Sequence, residues 1–128
     1  MGLAFQSFSF KRPVPTGVDM IFDCRLLKNP YWVPELRSLT GRSEEVVHYL
    51  INDCSWPEFF TKIVDLLEFL LPKYHDAGKA YFQVGFGCSG GQHRSVFVAE
   101  IIAEELRKSG WKLTVSHREL VGNELIYE

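Results

Sequence analysis

Short segments of period-two apolarity alternate along this chain with longer stretches whose apolar residues recur on a helical period. Residues 3–10 interleave aromatic and polar side chains, with Phe8 and Phe10 on one side and Ser7 and Ser9 on the other, as a strand places them. Pro13-Val14-Pro15-Thr16-Gly17 ends that strand in turn material. Met20-Ile21-Phe22 reads as a short buried strand that delivers Asp23-Cys24-Arg25 at its carboxyl end. Asn29-Pro30-Tyr31-Trp32-Val33-Pro34 is expected to be an ordered loop, because each proline turns its predecessor away from the α region. After the break at Thr40-Gly41, a helix is expected over about 43–51.

The second half repeats the scheme. Ser55-Trp56-Pro57-Glu58 has the form of a capping box, and Ile63, Leu66, Leu67 and Leu70 follow it as one apolar stripe that Pro72 should limit. Residues 81–86 predict a third strand, and a glycine-rich loop over 87–95 follows it. From His93 or Arg94 a helix should run to Lys108, burying Ala99, Ile102, Ala103 and Leu106, with Gly110 as its stop. Residues 111–115 read as a fourth strand, leading to His117-Arg118. The alternation predicts one α/β domain over 1–128, a sandwich with a largely parallel sheet. In such sheets ligands bind beyond the carboxyl ends of the strands. Asp23 and Arg25, the glycine-rich loop, and His117 and Arg118 all fall there.

Composition narrows the class. With 46% hydrophobic and 23% charged residues, the chain reads as a soluble globular domain, not a disordered segment. A formal charge of -2 gives no global case for a nucleic-acid binder. Residues 1–42 carry six Lys/Arg against three Asp/Glu, a surplus that an ordinary solvated surface explains as well as a basic face does. Cys24, Cys54 and Cys88 are odd in number and form no CxxC, so Cys24 and Cys54 read as small packing residues. Neither a secretory signal nor a bilayer-length apolar run is present, which points to the cytoplasm and to no membrane partner. No ligand spacing suggests a metal, and no cofactor is expected. Trp32, Trp56 and Trp111 are expected to be buried anchors more than stacking platforms.

The loop Gly87-Cys88-Ser89-Gly90-Gly91-Gln92-His93-Arg94-Ser95 holds the strongest chemical signal. Its glycines permit positive φ and close backbone approach, and its successive N–H groups can form an anion nest at a helix N-terminus. Arg94 has the planar fork that suits phosphate, and Ser89 and Ser95 add hydroxyl donors. The bland alternative is a tight structural turn. The loop also fits the cysteine-phosphatase pattern C-x-x-G-x-x-R-S, with Cys88 as nucleophile and Arg94 as phosphate ligand. Gly87, however, stands where those phosphatases usually carry His, and no Asp general acid is identifiable.

The chain resembles the C-terminal domain of the RapZ family, bacterial RNase adapter proteins also called nucleotide-binding. The likeness is carried by residues 7–11, by Asp23-Cys24-Arg25-Leu26-Leu27-Lys28-Asn29-Pro30-Tyr31-Trp32, by Leu39-Thr40-Gly41, by residues 87–96 and by His117-Arg118-Glu119-Leu120. It implies a domain that senses an amino-sugar phosphate and contributes to small-RNA binding, to contact with a protein partner and to homo-oligomerisation. Full-length members carry a Walker-A domain ahead of it. No G-x-x-x-x-G-K-[ST] occurs in the chain, so it is expected to be a stand-alone sensor or adaptor domain without ATP binding. The expected ligand is a phosphosugar, with residues 87–95 holding phosphate and Asp23, Arg25, Asn29, His117 and Arg118 lining the rest.

Overall fold

The computed structural model describes residues 1–120 and 125–127. Five strands, β1 (Gly2–Ser9), β2 (Met20–Asp23), β3 (Tyr81–Cys88), β4 (Thr114–His117) and β5 (Leu125–Tyr127), form one sheet in the order β2-β3-β1-β4-β5. The first four run parallel, and β5 closes the edge antiparallel to β4. Helices α1 (Glu44–Ile51), α2 (Trp56–Asp76) and α3 (Arg94–Lys108) complete the α/β fold. Helix α3 lies across β1 and β3, with α1 and α2 packed beside it.

The place of β1 at the centre of the sheet explains its residues. Ser7 and Ser9 share with Leu3 and Phe5 the face of β1 that helix α3 covers, so they are buried, and their hydroxyls need partners inside the protein. On the other face Phe8 and Phe10 lie over β3. A Cβ on Gly87 would come within 2.5 Å of the Phe10 ring, and one on Gly85 within 3.0 Å of Phe8. Strand β2, expected to be buried, is the sheet edge and leaves Ile21 exposed.

Helix α3 buries Ala99, Ile102, Ala103 and Leu106 as its period requires, and adds Phe97, against which Trp56 packs at 4.6 Å between ring centroids. Burying one such aromatic contributes on the order of 2–3 kcal/mol. Helix α2 departs from expectation in three ways. Its buried stripe is Trp56, Ile63, Leu67 and Leu71, while Leu66 is exposed, and the helix runs through Pro72 to Asp76. Ser55 makes no side-chain cap; its own N–H donates to Asp53 Oδ1 at 2.8 Å, in the turn that leads into the helix.

The fourth strand begins later than its pattern suggests. Trp111 still donates its N–H to Leu106 at the end of α3, and pairing with β1 begins at Ala4 opposite Thr114 and ends at Ser7 opposite His117. His117 is therefore in the strand, not beyond it. The segment after β2, expected as loop, contains two 3-10 turns, Pro30–Trp32 and Pro34–Leu36.

Candidate ligand-binding site

The loop between β3 and α3 is held from below and from the side. Gly91 adopts φ +67°, and a Cβ there would stand 2.8 Å from the Ser9 nitrogen and 2.9 Å from the Phe8 carbonyl carbon. Only glycine fits that approach. Gly90 has nothing within 4 Å of its Cβ position. The Ser9 hydroxyl donates to the Ser89 carbonyl at 2.7 Å, tying the end of β1 to the loop.

Three consecutive side chains then fasten the loop to the segment that follows β2. Gln92 Nε2 donates to the Arg37 and Leu39 carbonyls at 2.9 and 2.7 Å. His93 Nε2 lies 3.0 Å from the Leu36 carbonyl, which requires a proton on that nitrogen. Burial holds the His93 pKa below its ordinary value against the opposing pull of the carbonyls, so the ring is neutral at physiological pH. Arg94 Nη1 donates to the Arg25 and Leu27 carbonyls at 3.0 and 3.1 Å, while Nη2 lies 3.3 Å from Ser89 Oγ. The guanidinium is thus a buried brace between two loops, and the surface fork expected from its sequence position is not found.

Between these loops lies a cavity of about 540 Å³ lined by Lys11, Asn29, Tyr31, Trp32, Cys88, Ser89, Gly90, Gln92, His93 and Arg94. Asn29 Oδ1 accepts the Tyr31 N–H at 3.1 Å and so opens the turn that presents Tyr31 and Trp32 at the rim. Trp32 is 74% exposed, not the buried anchor expected of it. Lys11 and Arg94 are the cationic members of the lining. Among the described residues, the amides of Gly90, Gly91 and Gln92 donate to no protein acceptor. Cys88 forms part of the floor, with Sγ 3.1 Å from Ser95 Oγ and accepting the Ser95 N–H at 3.4 Å.

The other residues singled out from sequence lie elsewhere. Gly87 belongs to β3 and makes room for Phe10. Asp23 and Arg25 pair with each other, Nη2 to Oδ2 at 2.7 Å, at the surface beside the cavity, and Arg25 lies past the strand end, over the Phe10 ring. The Arg25 hydrogen bonds hold the Asp23 carboxyl below its ordinary pKa. Arg118 donates to Glu119, to the Pro13 carbonyl and to the Ser9 carbonyl. His117 is buried in a chain of its own, with Nδ1 2.6 Å from Ser7 Oγ and Nε2 2.6 Å from Glu100 Oε2. Burial pushes the Glu100 pKa up, but His117, Arg42 and Arg107 outweigh it and hold the carboxyl below its usual range. Of the cysteines, Cys24 is buried as expected, whereas Cys54 is exposed and is not the packing residue expected. Among the described residues there is no cluster of three or more metal-ligating side chains and no helix long and apolar enough to cross a membrane.

The sequence profile of the RapZ C-terminal domain matches residues 1–121. The chain belongs to that family. It is 54% identical over 120 residues to a nucleotide-binding protein of Cereibacter sphaeroides, an alignment that covers 94% of this chain and 40% of that protein. A nucleotide-binding protein of Ruegeria is 47% identical over 125 residues, covering 98% of this chain and 42% of the relative. One from Zymomonas mobilis is 51% identical over 114 residues, covering 89% and 35%. This RapZ C-terminal domain therefore spans about two fifths of the length of the first two relatives.

Sequence reasoning missed Lys11, Tyr31 and Trp32 as lining residues. Tyr31 and Trp32 sit between two prolines, in a segment too short to bury them, and that was the available signal. Lys11 had none. Its place follows from β1 ending at Ser9 beside Cys88, a pairing that only the sheet order reveals.

Proposed function

We propose that this RapZ C-terminal domain is a non-catalytic binding module for a phosphorylated small molecule of the amino-sugar phosphate type. The observation that carries this reading is the set of loop amides at Gly90, Gly91 and Gln92, which donate to no acceptor among the described residues and precede α3, beside a cavity whose charged members are Lys11 and Arg94. A phosphate there accepts from the amides, the Ser89 hydroxyl and the free edge of Arg94, in a field that the helix dipole makes positive. Asn29, Tyr31 and Trp32 on the opposite wall offer a polar contact and an aromatic face to the rest of the ligand. The relatives' name, nucleotide-binding protein, is compatible with the same phosphate chemistry.

Calorimetry with glucosamine 6-phosphate, inorganic phosphate and glucosamine tests the reading. Binding of the first two and not the third is expected, with a loss of about tenfold for Ser89→Ala. Equal affinity for glucosamine and its phosphate contradicts it. The competing reading, Cys88-dependent phosphate hydrolysis, lacks a general acid, since no carboxylate lines the cavity among the described residues. An aryl phosphate is therefore expected to remain intact with wild-type protein and with Cys88→Ser alike.

An RNA role draws support from the rim, where exposed Trp32 and Tyr31 stand with Lys11, and Arg37 lies 4.7 Å from the Tyr31 ring centroid. Aromatic faces beside cations suit unpaired bases. With so few cations in one copy, binding to structured RNA should be weak at physiological salt and fall steeply as salt rises. A titration at two salt concentrations measures this directly.

A further inference from the structure

We propose that Cys24 and Cys88 form a redox-sensitive dithiol at the cavity floor, which a hydroperoxide converts to an intrachain disulfide. The register of β2 on β3 places Phe22 opposite Phe86 and Asp23 opposite Gly87. The Cys24 N–H continues that ladder by donating to the Gly87 carbonyl at 2.8 Å, which sets Cys24 opposite Cys88. Side chains two residues apart on a strand share a face, so the cysteines project on the same side as Phe22 and Phe86. Those two rings stack at 5.6 Å with a 24° angle between planes, so opposed side chains meet across this register. Neighbouring parallel strands stand about 4.8 Å apart, within the ~4.4–6.8 Å between Cα atoms that a disulfide spans.

The two sulfurs have different surroundings. Cys24 is fully buried, and burial together with the nearness of Cys88 raises its thiol pKa well above the ordinary value. Cys88 faces the cavity and has the Ser95 N–H and hydroxyl at its sulfur. Cys88 is also buried, at 2% exposure, but it alone of the two lines the cavity, so it is the sulfur nearer an oxidant's path and Cys24 the one that resolves it. Attack of Cys88 sulfur on a peroxide oxygen breaks the O–O bond, releases an alcohol (water from hydrogen peroxide) that takes the thiol proton, and leaves a sulfenic acid. Cys24 sulfur then attacks Cys88 sulfur, the S–O bond breaks, and the hydroxyl departs as water with the Cys24 proton. Two thiols lose two electrons in total and one peroxide gains them.

Mass spectrometry of Cys54→Ser protein, which lacks the exposed third thiol, tests the proposal without any ligand. After hydrogen peroxide and alkylation under denaturing conditions, the chain should be lighter by two hydrogens than its reduced, unalkylated form. It should contain no alkylated Cys24 or Cys88, yield one peptide pair joined through them, and recover both thiols on treatment with dithiothreitol. Adding Cys24→Ala should abolish the joined pair and leave a Cys88 sulfenic acid that dimedone traps. Should that variant not fold, the mass of the Cys54→Ser protein alone decides. Full alkylation of Cys24 after peroxide, with Cys88 either free or carried to the sulfinic acid, would overturn the proposal.

Discussion

Two polar regions lie at the carboxyl ends of the parallel strands, and they use their side chains in opposite ways. Beyond β3, Gln92, His93 and Arg94 spend their donors on carbonyls of the neighbouring segment, and the amides of Gly90, Gly91 and Gln92 donate to no acceptor among the described residues, in a loop whose Gly90 and Gln92 line the cavity. At the end of β4, His117 is closed between Ser7 and Glu100, and its buried ring is not part of the cavity beside the glycine loop. Both regions read from sequence as histidine beside arginine near a strand end. What separates them is the sheet order: β4 pairs with the covered central strand, whereas the β3 loop meets a segment that comes from the sheet edge. A buried ring with both nitrogens matched is finished structure, while an unpaired row of amides is an invitation to an anion.

Arg94→Ala should break the comparison most severely. It removes a buried guanidinium from the Arg25 and Leu27 carbonyls, so a loss of about 3 kcal/mol of stability is expected together with loss of phosphate binding. Chemical denaturation and calorimetry on the same preparation measure both. An intact, equally stable protein that merely fails to bind would restore Arg94 to the role of a surface fork.

Gly91→Ala comes next, at about 2 kcal/mol, because φ is positive there and the new Cβ meets the β1 backbone. Gly90→Ala, with open space at its Cβ, should leave the denaturation midpoint within experimental error. Equal effects of the two substitutions would mean that the loop does not rest on β1 in this way. His117→Ala should cost about 1–2 kcal/mol through the orphaned Ser7 and Glu100 partners, while leaving phosphate affinity unchanged.

The smallest effect is one of pH. The lowered pKa of His93 means that its stability contribution is complete above the ordinary histidine value of about 6.5 and is lost as pH falls through the folded-state value. Glu100 and Glu119 are also depressed, the latter by the Ser9 N–H and by Arg118 and Arg12 in spite of burial, so their contributions disappear only in the lower carboxylate range. Denaturation midpoints from neutral to acid pH should decline in two stages, and His93→Gln should erase the upper one.

Helix α3 was legible because its apolar period, its stop at Gly110 and its glycine-rich start all agree. The cavity-side loop was legible as backbone chemistry, since glycines before a helix mean close approach. Arg94, by contrast, was misread as a surface group, because nothing local shows that the chain after β2 brings two carbonyls over it. The burial of Ser7 and Ser9 was not legible, because alternation of serines with phenylalanines does not say which face of the strand the helices cover. His117 and Arg118 were placed near the right strand end, but the partners that engage them are Glu100 on α3 and Glu119 next in the chain.

On the proposed reading the loop after β3, and not the histidine of β4, meets the phosphorylated ligand. Amide and side-chain chemical shifts followed during titration with glucosamine 6-phosphate separate the two. The largest shifts are expected at Gly90, Gly91 and Gln92, with smaller ones at Lys11, Tyr31 and Trp32, and none beyond noise at Ser7, Glu100 and His117. Shifts centred on His117 and Glu100 with a silent glycine loop would contradict it.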